Sequence, residues 1–232
     1  MAVELKKDIM NTSWYFNTPI YRIEKPEWLS SAIKVTDKYI KQSQKNMEPE
    51  LKERKKLLGN KDYLRKKDHG LSYHSTPLNG EPDLKELEQY VGQTSYNLLD
   101  EWGYDMKLYT MFYTEFCVQE FAKAGGGHHS THVHWDNHIS GFYFLKCSEK
   151  TSYPIFHDPR AGAMMTKLPM KDVNIASNMS DRIHLKPKPG TLVFFPAYVP
   201  HEFAVDMGIE PFRFIHFNLQ AVRNPICGQN KG

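Results

Sequence analysis

The chain has 232 residues, of which 40% are hydrophobic, 13% aromatic and 25% charged. That balance suits a globular protein with a sizeable core and excludes a collagen-like, low-complexity or largely disordered chain. Thirty basic against 27 acidic residues leave a formal charge of +3, too small an excess to argue for a nucleic-acid partner.

At about 150 residues per domain, the length predicts one domain over 1–232. Its supporting part is residues 1–105 and its strand-rich core residues 106–222. Cys117, Cys147 and Cys227 are too few and too scattered for a disulfide framework or a paired-cysteine zinc site. The opening residues Met1 to Asp8 lack the apolar run of a signal peptide, and no stretch approaches the 18 apolar residues of a membrane span. A cytoplasmic location with no membrane partner is the expectation.

Residues 13–24 read as an early strand broken by a proline. From Pro26 to about Ser43, the spacing of Trp28, Ile33, Val35, Tyr39 and Ile40 predicts a helix with proline in its first turn. Residues 44–70 are mostly polar. Eight basic side chains between Lys52 and Lys67 face only Glu53 and Asp62; without interleaved aromatics this reads as a solvated helix and loop rather than a docking patch. A second helix is predicted over Asp83–Trp102, stopped by Gly103. From Met106 onward, short apolar-aromatic runs recur between glycines and prolines: 108–121, 131–136, 140–147, 153–157, 182–186, 191–199, 201–206 and 212–222. About eight strands after helices predict a mainly β sandwich or barrel, with the helices packed on one face.

The chemistry concentrates at Gly125-Gly-Gly-His-His-Ser-Thr-His-Val-His-Trp-Asp-Asn-His138, which holds five histidines. Such tracts often bind metal. On a strand His132, His134, Asp136 and His138 share a face and His129 takes the other. Two ligand sets fit. One is His134-x-Asp136. The other is His132-x-His134, which imitates the cupin pattern but lacks the glutamate that pattern wants a few residues on. His201, 67 positions after His134 and placed where a proline-bounded turn opens a new strand, is the best distal ligand. Two histidines and a carboxylate make a facial triad, the usual Fe(II) oxygenase set.

Arg213 favours the first reading. It lies in an alternating, strongly apolar segment, Glu210 to Gln220, and a buried guanidinium needs an anion. A hairpin from His201 to Arg213, with Phe203 opposite Arg213, puts the arginine on the face of His201, about 7 Å along the sheet. A five-carbon diacid spans that gap, one end on the metal and its far carboxylate on Arg213. An arginine paired with a protein carboxylate on a neighbouring strand is the competing reading.

These segments resemble the Fe(II)/2-oxoglutarate-dependent dioxygenase superfamily, and in particular 2OG-Fe(II) oxygenases of marine bacteria and phages related to prolyl-hydroxylase-like domains. The resemblance rests on His132-Val-His-Trp-Asp-Asn-His-Ile-Ser-Gly-Phe-Tyr-Phe-Leu145, Phe156-His-Asp-Pro-Arg160, Pro189 to His201, and Arg213 to Asn218. It covers about residues 106–222, with looser likeness at Trp14–Pro19 and His74–Thr76. It implies a double-stranded β-helix (jelly roll), Fe(II) on His134, Asp136 and His201, 2-oxoglutarate anchored by Arg213, and O2 as oxidant. It further implies a hydroxylase that converts 2-oxoglutarate to succinate and CO2 and acts on a small-molecule or peptide substrate, in the host cytoplasm if the source is viral. Relatives often carry Tyr-Tyr after the metal loop; here the run is Phe142-Tyr143-Phe144, so either Tyr143 or another group helps hold the co-substrate, and a core aromatic is the competing reading of Tyr143. His132 and Arg160 are candidate substrate contacts. The alternative is a cupin-like metalloprotein using His132, His134, His138 and His201 without a keto acid. The pattern leaves the oligomeric state open, a homodimer included.

Overall fold

A computed structural model describes residues 13, 15–58, 68–165 and 168–224. Trp14, Cys227 and the second half of the basic stretch (Lys61, Arg65, Lys66, Lys67) lie outside the described residues. The first strand, β1, is Tyr21–Glu24, shorter than the predicted 13–24. A single turn at Pro26–Trp28 leads into α1, Leu29–Leu58, which runs through Pro49. The helix therefore passes the expected end near Ser43. Its apolar stripe continues beyond that point, since Ile40, Ser43 and Leu51 are buried and Met47 packs on the core. Tertiary packing of that stripe outweighs the backbone hydrogen bond that Pro49 cannot donate. β2, Ser72–His74, follows, and α2, Lys85–Glu101, matches the second predicted helix.

All eight predicted strands of the C-terminal part are present: β3 Tyr109–Phe121, β4 His129–His132, β5 Ile139–Lys146, β6 Pro154–His157, β7 Arg182–His184, β8 Thr191–Pro196, β9 His201–Phe203 and β10 Arg213–Arg223. A short helix, α3, spans Ala161–Met165. The strands form two antiparallel sheets. The larger has the order β1-β8-β5-β10-β3-β2 and the smaller β4-β9-β6-β7.

The larger sheet is apolar on both faces, because both are covered. Toward the helices it buries Phe116, Val118, Tyr143, Leu192, Phe194, Ile215, Phe217 and Leu219, packed with Val35, Ile40, Leu87, Val91 and Leu99 of α1 and α2. Toward the smaller sheet it turns Phe142, Phe144, Val193, Phe195, Phe212 and Phe214, which meet Phe156 and Phe203. Two facing sheets with helices outside the larger one make the expected jelly roll. Among the described residues no helix is long and apolar enough to cross a membrane.

β9 and β10 do not form the expected hairpin. Phe203 pairs with His129 and Pro154 in the smaller sheet, whereas Arg213 lies opposite Glu120 and Lys146 in the larger one. The segment 204–212 crosses between sheets. Since side chains alternate along a strand, this reverses the face assigned to every residue of β10.

Candidate metal centre

His132, His134 and His201 converge in the space between the sheets. One ligand atom from each lies within 4.8 Å of the other two. Their rings are 4.4 Å (His132–His201), 5.1 Å (His132–His134) and 5.1 Å (His134–His201) apart between centroids. His132 and His201 are opposed on β4 and β9, and the main chain of His134 donates to the Ala197 carbonyl just past β8.

Each imidazole is held through its other side. His201 Nδ1 is 3.0 Å from the Val199 carbonyl and His132 Nδ1 is 2.7 Å from the Ser130 carbonyl. A carbonyl only accepts, so both rings carry their proton on Nδ1 and turn an Nε2 lone pair inward. His134 Nδ1 contacts the Asn218 side-chain amide at 2.9 Å. His201 is 1% exposed, and its buried Nε2 has no hydrogen-bond partner. A buried acceptor left unmade costs free energy unless something fills the place; a metal ion would. Burial holds His134 down at about 4 and His201 at about 3 against an ordinary 6.5. Both are therefore neutral at pH 7, the charge state in which imidazole ligates a metal.

Around them is a cavity of about 280 Å³, its wall completed by His74, Glu115, Gln119, His129, Phe142, Phe214, His216 and Asn218. His129, expected on the opposite face from His132, lines it too. A register shift between His129 and His132 in the β4–β9 pairing restores both rings to one side. Gln119 Nε2 lies 2.7 Å from His129 Nε2 and from Ser72 Oγ.

Several expected residues fall elsewhere. Asp136 sits on an exposed turn after His134 with φ +59°, and the three-residue cluster does not include it. Arg213 is turned to the helices. Its Nε and Nη2 are 2.7 and 2.6 Å from Glu120 Oε2, and its Nη1 is 2.5 Å from Asp37 Oδ1 of α1. The guanidinium is buried, as its setting required, but its anion is a protein carboxylate on the neighbouring strand, and among the described residues no Arg or Lys lines the cavity. Tyr143 shares that helix-side face, donating to the Lys25 carbonyl at 2.6 Å; it is a core aromatic. Arg160 is exposed and paired with Asp158 at 2.8 Å. His138 is exposed, its Nδ1 accepting from the Ala221 amide at 3.1 Å, which removes it from the four-histidine set. His132 lies in the metal cluster itself rather than beside it.

His74, Glu115, Gln119 and His216 were not singled out from sequence. His216 and Asn218 stand two apart in the otherwise apolar run Phe214–Leu219 of β10, and that polar pair on one face is the signal that marks them. His74 carries no such signal, since only the pairing of β2 with β3 brings it in.

Residues 121–218 match the family described as "Putative 2OG-Fe(II) oxygenase". A comparison with curated proteins finds no match. Among solved structures, the chain is similar to AviO1 from Streptomyces viridochromogenes Tue57, at 11% identity over 90% of each chain with a TM-score of 0.51. It is also similar to a Pseudomonas putida prolyl-4-hydroxylase, at 13% identity, 87% of this chain and 92% of that one, TM-score 0.47. A third is a prolyl hydroxylase from Trichoplax adhaerens in complex with a hypoxia inducible factor peptide fragment, at 11% identity, 87% and 83% coverage, TM-score 0.46. Identities this low speak to the fold alone.

Proposed function

We propose that this chain, whose residues 121–218 match the 2OG-Fe(II) oxygenase family, is a member of it that holds Fe(II) on His132, His134 and His201 and hydroxylates an organic substrate in the cavity between its sheets. The observation that carries the reading is the inward convergence of three imidazoles, one with a buried Nε2 that nothing else occupies. The family uses Fe(II), 2-oxoglutarate and O2, the metal supplying the oxidising centre and the keto acid its electrons.

The chain's own contribution is placement and dryness. The Val199 and Ser130 carbonyls fix two of the rings with their lone pairs inward, and Asn218 orients the third. Phe142, Phe156 and Phe195 pack around His201 at ring-centroid distances of 5.7, 6.1 and 4.8 Å, which keeps water from that side of the site. The residues present fit the metal. They do not fit the expected guanidinium anchor for the far carboxylate of 2-oxoglutarate, because Arg213 is committed to Glu120 and Asp37.

The test is succinate formation from 2-oxoglutarate under air with Fe(II) added. It is expected in the parent and lost, together with iron binding, in His134→Ala and His201→Ala. Asp136→Ala separates the ligand sets: retained iron binding supports three imidazoles, whereas its loss restores the facial triad. Absence of succinate with every substrate class tried, in an iron-loaded protein, overturns the reading.

A further inference from the structure

We propose a second metal site at the wall of this cavity, formed by His74 and His216, which line it, and the buried Cys117 beside them, that takes a borderline-soft divalent cation such as Zn²⁺ or Co²⁺. One ligand atom from each of the three lies within 4.8 Å of the other two. They come from three adjacent strands, β2, β3 and β10, with Cys117 directly opposite His216.

The ring nitrogens of the two histidines face each other across the cluster. His74 Nδ1 is 2.9 Å from the Ser75 carbonyl, so it donates there and leaves a lone pair on Nε2. His216 Nδ1 faces Glu115 Oε2 at 3.6 Å, so that carboxylate stands ready to accept from Nδ1 when Nε2 binds a metal. The two Nε2 atoms are only 2.7 Å apart. At that distance one proton lies between them, carried on His216 Nε2 and accepted by His74 Nε2; a metal would take its place, the proton moving to His216 Nδ1 beside Glu115. A tetrahedral metal with bonds of about 2.0–2.1 Å to nitrogen needs the two atoms about 3.3 Å apart, an opening of roughly 0.6 Å. A ligating histidine usually sends its other N–H to a backbone carbonyl or a carboxylate; Ser75 and Glu115 supply one of each.

Cys117 is 5% exposed and would bind as thiolate, releasing a proton to solvent. His74 is exposed at the strand edge and gives the ion a way in. The two metal clusters are joined through side chains: Glu115 contacts both His216 and the Asn218 amide, and Asn218 contacts His134. His216 and Asn218 are two residues apart on one strand and so share a face of the sheet. This inference does not depend on the iron reading, since it uses none of its ligands.

The experiment is titration of the metal-free chain with Co²⁺, followed by absorption. The expected result is two equivalents per chain, one of them with a near-ultraviolet sulfur-to-cobalt charge-transfer band. Cys117→Ser should remove the band and weaken one equivalent at least tenfold. His134→Ala should remove the other equivalent and keep the band, which separates failure of this site from failure of the iron site. If Cys117→Ser does not fold, His74→Ala at the exposed edge should still abolish the band. A single equivalent without a sulfur band overturns the proposal, as does a band that survives both Cys117→Ser and His74→Ala.

Discussion

Replacing Arg213 with methionine should damage the fold and spare the co-substrate. The guanidinium side chain is 5% exposed and its partner Glu120 7%, so the substitution leaves a buried carboxylate without its cation. Removing one partner of a buried pair costs about 3–5 kcal/mol. Asp37 is 45% exposed and water takes over much of its loss, so it adds little. At about 2–4 °C per kcal/mol for a chain of this size, Tm should fall by roughly 6–20 °C. Changing Glu120 to leucine in the same protein should recover most of that, because a packed apolar pair is often as stable as the ion pair it replaces. Thermal unfolding by circular dichroism reads the first effect. Below the lowered Tm, the KM for 2-oxoglutarate should match the parent. A variant with near-parental Tm and a KM raised tenfold or more would show that the guanidinium faces the cavity after all.

Gly141 on β5 has no room for a methyl group, because a Cβ would run into the Val193 carbonyl and the Phe217 ring. Gly141→Ala should therefore cost at least about 1–3 kcal/mol, read as a lower urea midpoint with unchanged slope. Tyr143→Phe removes one hydrogen bond to the Lys25 carbonyl and should cost about 1 kcal/mol with no change in co-substrate affinity; weakened 2-oxoglutarate binding would contradict its place in the helix-side core. The buried imidazoles also set a pH dependence. His129 and His134 are held at about 4 and His201 at about 3 in the folded chain, while unfolded rings titrate near 6.5. The unfolded state thus binds more protons between those values, and stability falls as pH falls from about 6.5 toward 4, by up to about 1.4 kcal/mol per ring per unit. The metal-free protein should melt several degrees lower at pH 5 than at pH 7.5; equal values would mean that the rings are hydrated.

The strands of the C-terminal part were legible because each is a short apolar run between glycines or prolines, and His134 and His201 because they stand out in that setting. What sequence alone does not fix is parity. β10 is apolar on both faces, so alternation says that Arg213 and His216 point opposite ways but not which one meets the metal. A β9–β10 hairpin would turn Arg213 toward the metal; because β9 lies in the smaller sheet and β10 in the larger, Arg213 turns to the helices and no diacid bridges it to the histidines. The competing reading, an arginine paired with a carboxylate on the next strand, is the one realised by Glu120. Asp136 misled for a related reason: strand alternation was carried past His132, where β4 ends and a turn with φ +59° begins. The basic run was read as solvated, and its described part, Lys52 to Lys56 of α1, is exposed apart from a half-buried Arg54, which donates to the His69 carbonyl.

The glycines ahead of the histidine tract meet the crossing between β9 and β10. The Gly126 amide donates to the Asp206 carbonyl and the Asp206 amide to the Gly127 carbonyl. A Cβ on Gly125 would fall 2.7 Å from the Met207 carbonyl oxygen, and one on Gly208 would fall 2.5 Å from the Gly125 nitrogen. Main chain thus rests on main chain where the segments bearing His132 and His201 approach each other, and no rotamer can loosen the clasp. The lining of the cavity is free to diversify toward new substrates while the gauge between its two walls stays fixed.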